Sequence, residues 1–226
     1  MNRAAIALIL VAFAYPSRLA HAVGAGAQAR EPGGDTRLDE SRLKQAERLC
    51  REELARVRRA LGEGDPRVAD AVIALASNLD AQGRSRAVED LFRFEIDASR
   101  KNAEKDNTRV LSIAFSEWLL RVRRPAVAEL IARGALDLGR QSLGEGDWRL
   151  SDTRSLIGET LLAQKKFAQA EPLLLEAQEK LAASAEAPVD ARRKAIHRLV
   201  DLYESWELGS PGQGKMAEAA RWKARL

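Results

Sequence analysis

Leu61-Gly62-Glu63-Gly64-Asp65-Pro66-Arg67-Val68-Ala69-Asp70 returns almost unchanged as Leu143-Gly144-Glu145-Gly146-Asp147-Trp148-Arg149-Leu150-Ser151-Asp152, and the two copies lie 82 residues apart. Midway, Asp106-Asn107-Thr108-Arg109-Val110 keeps the acid, the arginine and the apolar residue with one residue inserted, so the period is about 41. Self-similarity at roughly 20 to 50 residues marks a solenoid, in which each unit buries its apolar face only against its neighbours. The stretch also punctuates helices. Gly62 suits the left-handed conformation at a helix C-terminus, Asp65 can accept from the free N–H groups of the next helix, and Pro66 suits its first position.

Outward from this stretch, apolar residues recur at steps of three and four. Asp39 to Leu61 carries Leu43, Ala46, Cys50, Leu54 and Val57 on one face. Val68, Val72, Leu75, Ala76 and Leu79 form the face of a helix closed by Gly83, and its partner from about Ser85 to Lys101 uses Val88, Leu91, Phe92 and Ile96. The same pairing is expected in Asn107 to Arg123 with the helix opened by Pro125. It is expected again in Asp147 to Gln164 with Phe167 to Leu181. A long helix after Pro188 and a short terminal one carrying Trp222 complete about nine helices. Alternating strand patterns are lacking. The expected fold is an all-α solenoid of antiparallel helix pairs over residues 38–226.

The start of the chain has another character. Arg3, the apolar run Ala4 to Tyr15, Pro16 and then Ala20-His21-Ala22 have the order of a secretory signal peptide over residues 1–22, cleaved after Ala22. The apolar run falls short of the roughly 20 residues that span a bilayer, so no stable membrane insertion is expected after cleavage. Residues 23–37, with Gly24, Gly26, Pro32, Gly33 and Gly34 and few bulky apolar groups, are expected to be a flexible linker. An exported protein, periplasmic or secreted and of bacterial type, is the expectation.

Charge and chemistry exclude several classes. The net charge of the chain is +4; removing Arg3 and Arg18 leaves 35 bases against 33 acids, without the basic footprint of a nucleic-acid binder. Arg56-Val57-Arg58-Arg59 and Arg121-Val122-Arg123-Arg124 have acids nearby and are expected to be solvated faces. Cys50 is the only cysteine and lies on an apolar stripe, so no intramolecular disulfide can form and the thiol is expected to be buried and inert. With one cysteine and with His197 as the one histidine beyond residue 22, neither a zinc set nor a Cys/His dyad is evident. No catalytic residue, cofactor or metal is expected.

Gly158, Leu161, Phe167, Ala170, Leu174 and Ala177, within Gly-Glu-Thr-Leu-Leu-Ala-Gln-Lys-Lys-Phe-Ala-Gln-Ala-Glu-Pro-Leu-Leu-Leu-Glu-Ala, resemble a tetratricopeptide (TPR) repeat. The 41- to 42-residue period and the Ala-Glu-Pro-Leu-Leu run resemble the longer repeat of kinesin light chains. HEAT-type repeats share this period. Equivalent positions are Ala76, Ser116, Gly158 and Val200 on the first helices, and Val88, Ala128 and Ala170 on the second. Against the pattern, Ser85 and Pro125 replace the usual aromatic, and Lys165 stands where glycine is common.

The resemblance implies that the first helix of each pair lines a concave groove for a peptide or a partner's helix. Carried over, the groove positions are Asp70, Ile73, Ser77 and Asp80, then Ile113, Glu117, Leu120 and Arg121. The third and fourth first helices add Asp152, Ser155, Glu159 and Leu162, then Lys194, His197, Asp201 and Glu204. Seven of these are acids, which favours a cationic segment of a partner protein. Ile73, Ser77, Ile113 and Glu117 do not match the Lys/Asn clamp with which some members hold a C-terminal carboxylate. Trp148 and Trp222 are candidate contact anchors. The expected function is a non-enzymatic interaction scaffold, monomeric or weakly self-associating. The alternatives are a structural envelope element that stacks through the Trp222 helix, and an enzyme with an unrecognised site.

Overall fold

The computed structural model describes residues 36–226, with side chains from residue 40 onward. The expected signal segment 1–22 lies outside the described residues, as does the linker 23–37 apart from its last two positions, which open the first helix. The described residues form nine helices and no strand: α1 (Thr36–Leu61), α2 (Pro66–Ala81), α3 (Ser85–Lys101), α4 (Lys105–Arg121), α5 (Pro125–Ser142), α6 (Trp148–Ala163), α7 (Phe167–Ala183), α8 (Val189–Gly209) and α9 (Lys215–Lys223). Each helix packs on the next in the chain. The first helices α2, α4, α6 and α8 also pack in series on one another, with no comparable packing between successive second helices. The first helices therefore form the inner side of the curve.

The repeated stretch folds the same way twice. Asp65 accepts from the backbone N–H of Arg67 at 3.0 Å, and Arg67 returns Nε at 2.8 Å and Nη2 at 2.9 Å to the same carboxylate. Asp147 and Arg149 repeat this at 2.9, 2.9 and 2.6 Å. The carboxylate thus satisfies an orphan N–H of the helix start and pairs with a guanidinium at once. The midway copy behaves differently. Asp106 lies inside α4, and the helix is entered through a left-handed turn at Ala103 (φ 59°) with no side-chain cap. The inserted residue moves the acid past the capping position.

The turn inside each pair is also repeated. Gly83, Arg123 and Lys165 have φ of 70°, 59° and 60°. Each donates its N–H three residues back, and the following residue donates five residues back, as in Lys165 to Leu162 at 2.8 Å and Lys166 to Leu161 at 2.9 Å. This hydrogen-bond pair closes a helix end around one left-handed residue. Two of the three positions hold a side chain where glycine is the comfortable choice.

Packing follows from residue size. Ala128, Ala132 and Ala135 on α5 and Ala170 and Ala177 on α7 are fully buried, so these second helices lie close against their partners. At Gly158 a β-carbon would stand 2.5 Å from Leu174 Cδ2. Only glycine permits that approach. One apolar cluster spans Leu54 to Ala128 and includes the stacked rings of Phe92 and Phe115 at 5.2 Å; another spans Ala132 to Ala219.

Ion pairs tie the outer layer at the same interval. Glu47, Glu89, Glu129 and Glu171 each reach a base at the start of the next second helix: Arg84 at 2.8 Å, Arg124 at 2.7 Å, Lys166 at 3.5 Å and Lys215 at 3.2 Å. Glu47 belongs to α1, which therefore occupies the place of a second helix. The arginine runs are absorbed into such pairs, Arg56 with Glu53, Arg58 with Glu95 and Glu63, and Arg121 with Asp80.

Candidate binding groove

Caps and turns set the register of the first helices, and the register sets which side chains face inward. Asp70 is exposed on α2, yet partial desolvation of its carboxyl pushes its pKa up, and the Asp65 charge adds to the shift. One turn further, Ile73 and Ser77 are half-buried. Asp80 accepts from the Trp118 indole N–H at 2.9 Å and from Arg121 at 3.3 Å, which joins α2 to α4. Glu117 on α4 pairs with Lys194 on α8 at 3.2 Å, reaching past α6.

The centre of the C-terminal half is Arg198, which the sequence reading left out. It is 7% exposed and donates to Glu159 at 2.6 Å and to Ser155 Oγ at 3.0 Å, with Asp152 at 3.5 Å. Burial opposes its charge, but Glu159, Asp152 and Glu117 outweigh it and hold the guanidinium protonated. Burial raises the pKa of Asp152 against the opposing pull of Arg198 and Lys194. Ile196 apart, α8 shows the signal that would have found it: Arg198 falls on the stripe of Ala191, Ala195 and Leu202, where a charge needs an acid on the facing helix.

Two expected groove positions need correction. Ser155 is fully buried between α6 and α8, because its step of three from Asp152 turns it toward Arg198 rather than the open groove. Asp152 is half-buried with its Oδ1 enclosed, so it serves the same arginine. The other positions are exposed or half-buried: Asp70, Arg121, Lys194, His197 and Asp201 are exposed, and Ser77, Asp80, Glu117, Glu159 and Glu204 are half-buried. Glu204 pairs with Lys223 of α9.

The inner surface is thus less acidic than its sequence positions suggest. The seven acids meet four bases, Arg121, Lys194, Arg198 and Lys223. Asp70 and Asp201 are the two groove acids without an ion pair among the described residues. Burial raises the pKa of Asp201, and His197 works against the shift.

The other singled-out residues serve the core. Trp148 packs by Leu181 and Ala187, and Trp222 is half-buried with Arg225 over its ring at 4.4 Å. Trp206 stacks on Phe167 at 5.7 Å beneath Lys215. Cys50 is half-buried, and burial raises its thiol pKa, with Glu47 adding to the effect. Among the described residues no group of His, Cys, Asp and Glu has the arrangement of a metal site, and no helix is long and apolar enough to cross a membrane.

No protein-family model and no curated protein matches the sequence. Among solved structures the chain is similar to a kinesin light chain of Podospora anserina with nearly identical TPR-like repeats. The match has 13% identity and a TM-score of 0.59, and covers 83% of this chain and 89% of that one. At that identity the likeness speaks for the fold. The helix pairs, their 40- to 42-residue interval and this likeness agree that the chain folds as a TPR-like α-solenoid with long repeats.

Proposed function

We propose that the protein is an exported interaction scaffold whose inner surface, formed by α2, α4, α6 and α8, holds a basic segment of another protein. The observation that carries this reading is the charge balance along that surface: seven acids against four bases, with Asp70 and Asp201 exposed and unpaired among the described residues. Lys194 is exposed and bonded to Glu117 by one contact. A partner's lysine or arginine can displace it, and the freed ammonium returns to water at small cost because exposed pairs are worth about 0–1 kcal/mol. Arg198, buried and held by three groups, stays. The scaffold works by rigid display and needs no chemistry of its own.

Export rests on the N-terminal segment, and sequencing the N-terminus of the mature protein tests it; Val23 is the expected first residue. For the groove, the test is capture of a partner from envelope extract by the wild-type chain and by an Asp70→Lys, Asp201→Lys variant. The expected result is salt-sensitive capture that the variant loses. Equal capture by both removes the basic-segment reading.

A further inference from the structure

On the outer side, α5 and α7 stand apart over α6 and leave a cleft of about 330 Å³. Its apolar base is Leu136, Ile157 and Leu173, and Arg133 and Arg140 of α5 and Arg154 of α6 look into it beside Asp137 and Glu176. A second hollow of about 270 Å³ adjoins it and shares Arg140 and Arg154. The cleft's volume lies at the lower end of small-ligand sites, which start at roughly 300 Å³.

Arg154 distinguishes this cleft from mere surface. Its Nη1 is buried and meets no acceptor among the described residues. The other arginines with an enclosed nitrogen hold at least one partner: Arg58 has Glu95, Arg109 has Asp106 and Arg192 has the Ser184 carbonyl. Among the described residues Arg154 has no hydrogen bond or ion pair, only the field of Glu176, whose carboxylate is already taken by Lys180 at 2.6 Å. Arg133 and Arg140 are likewise occupied, by Glu129 at 2.8 Å and Asp137 at 3.3 Å. In the two preceding units the equivalent positions are Val72 and Ser112, both buried, so the fold does not require a cation there.

We propose that this cleft binds a small monocarboxylate with a short aliphatic body. The carboxylate accepts from the Arg154 guanidinium, and the aliphatic part covers Leu136, Ile157 and Leu173. One uncommitted cation calls for one negative charge, and the planar fork of guanidinium matches a carboxylate. The apolar base disfavours a fully hydrated dianion such as phosphate. The carboxylate can be a free acid or an aliphatic acid's side chain on a short peptide, which share this chemistry.

Titration of the full chain followed by amide NMR shifts tests the assignment, with butyrate, an N-acetyl, C-amide glutamate peptide and inorganic phosphate as probes. Saturable shifts in α5, α6 and α7 with butyrate or the peptide are expected, and the tighter of the two names the source. Arg154→Met, which preserves the bulk of the stem, is expected to weaken binding at least tenfold. Asp70→Lys in the groove is expected to leave it unchanged, so this test stands apart from that of the groove. Absence of saturation at millimolar carboxylate, equal binding by Arg154→Met, or phosphate binding as tightly as butyrate overturns the proposal. If Arg154→Met fails to fold, Arg154→Gln is read instead, with the same loss expected and an unchanged affinity overturning it.

Discussion

Gly158 and Gly134 are both helical glycines, yet their alanine variants are expected to move stability in opposite directions. At Gly158 the added carbon meets Leu174 at 2.5 and 2.6 Å, whereas at Gly134 it meets nothing within 4 Å. Overpacking of a closed contact costs about 1–3 kcal/mol, and relief of glycine in an open helical position returns about 1 kcal/mol. Urea unfolding of Gly158→Ala and Gly134→Ala checks both signs. The capping acids give a pH dependence. Hydrogen bonds from Arg67 hold the Asp65 pKa at about 2 rather than 3.8, and Arg149 lowers that of Asp147. A lowered folded pKa stabilises above the unfolded value and the contribution is lost as pH falls through the folded one. The thermal midpoint is therefore expected to fall between about pH 4 and pH 2, and to fall less in an Asp65→Asn, Asp147→Asn variant. At neutral pH Asp147→Ala is expected to cost about 1 kcal/mol.

At the scale of elements, the turns and the outer ion pairs repeat more faithfully than the sequence does. Lys165 holds φ 60° in the turn between α6 and α7, where Gly83 serves between α2 and α3. A side chain in this conformation costs roughly 1–2 kcal/mol, part of which glycine gives back through its freer unfolded chain. Lys165→Gly is thus expected to raise stability by about 0.5 kcal/mol, and a fall in the urea midpoint would contradict the turn account. The helices and their caps were legible because apolar spacing, Gly62, Asp65 and Pro66 each act within a few residues. At the midway copy the helix expected from Asn107 begins at Lys105, because one inserted residue separates a cap from a first-turn acid. The glutamates at 47, 89, 129 and 171 carried a readable interval, but glutamate on a helix surface is common and its partner lies 35 to 44 residues away.

At the scale of the whole molecule, curvature decides which inward residues face a partner and which face one another. Apolar periodicity placed Asp152, Ser155 and Glu159 on the inner side of α6. It could not reveal that Arg198 of α8 folds over them, or that Lys194 reaches Glu117 across 77 residues. Arg198→Met is expected to cost about 3 kcal/mol, because it leaves two half-buried acids facing each other without their buried counter-charge. Asp152→Asn added to it is expected to recover part of that loss, and additive urea midpoints would show that the two do not interact. The most direct test of the scaffold account is hydrogen exchange of the chain with and without its captured partner. Protection confined to α2, α4, α6 and α8, strongest around Asp70 and Asp201, is the predicted result. Protection confined to α3, α5 and α7 would contradict it.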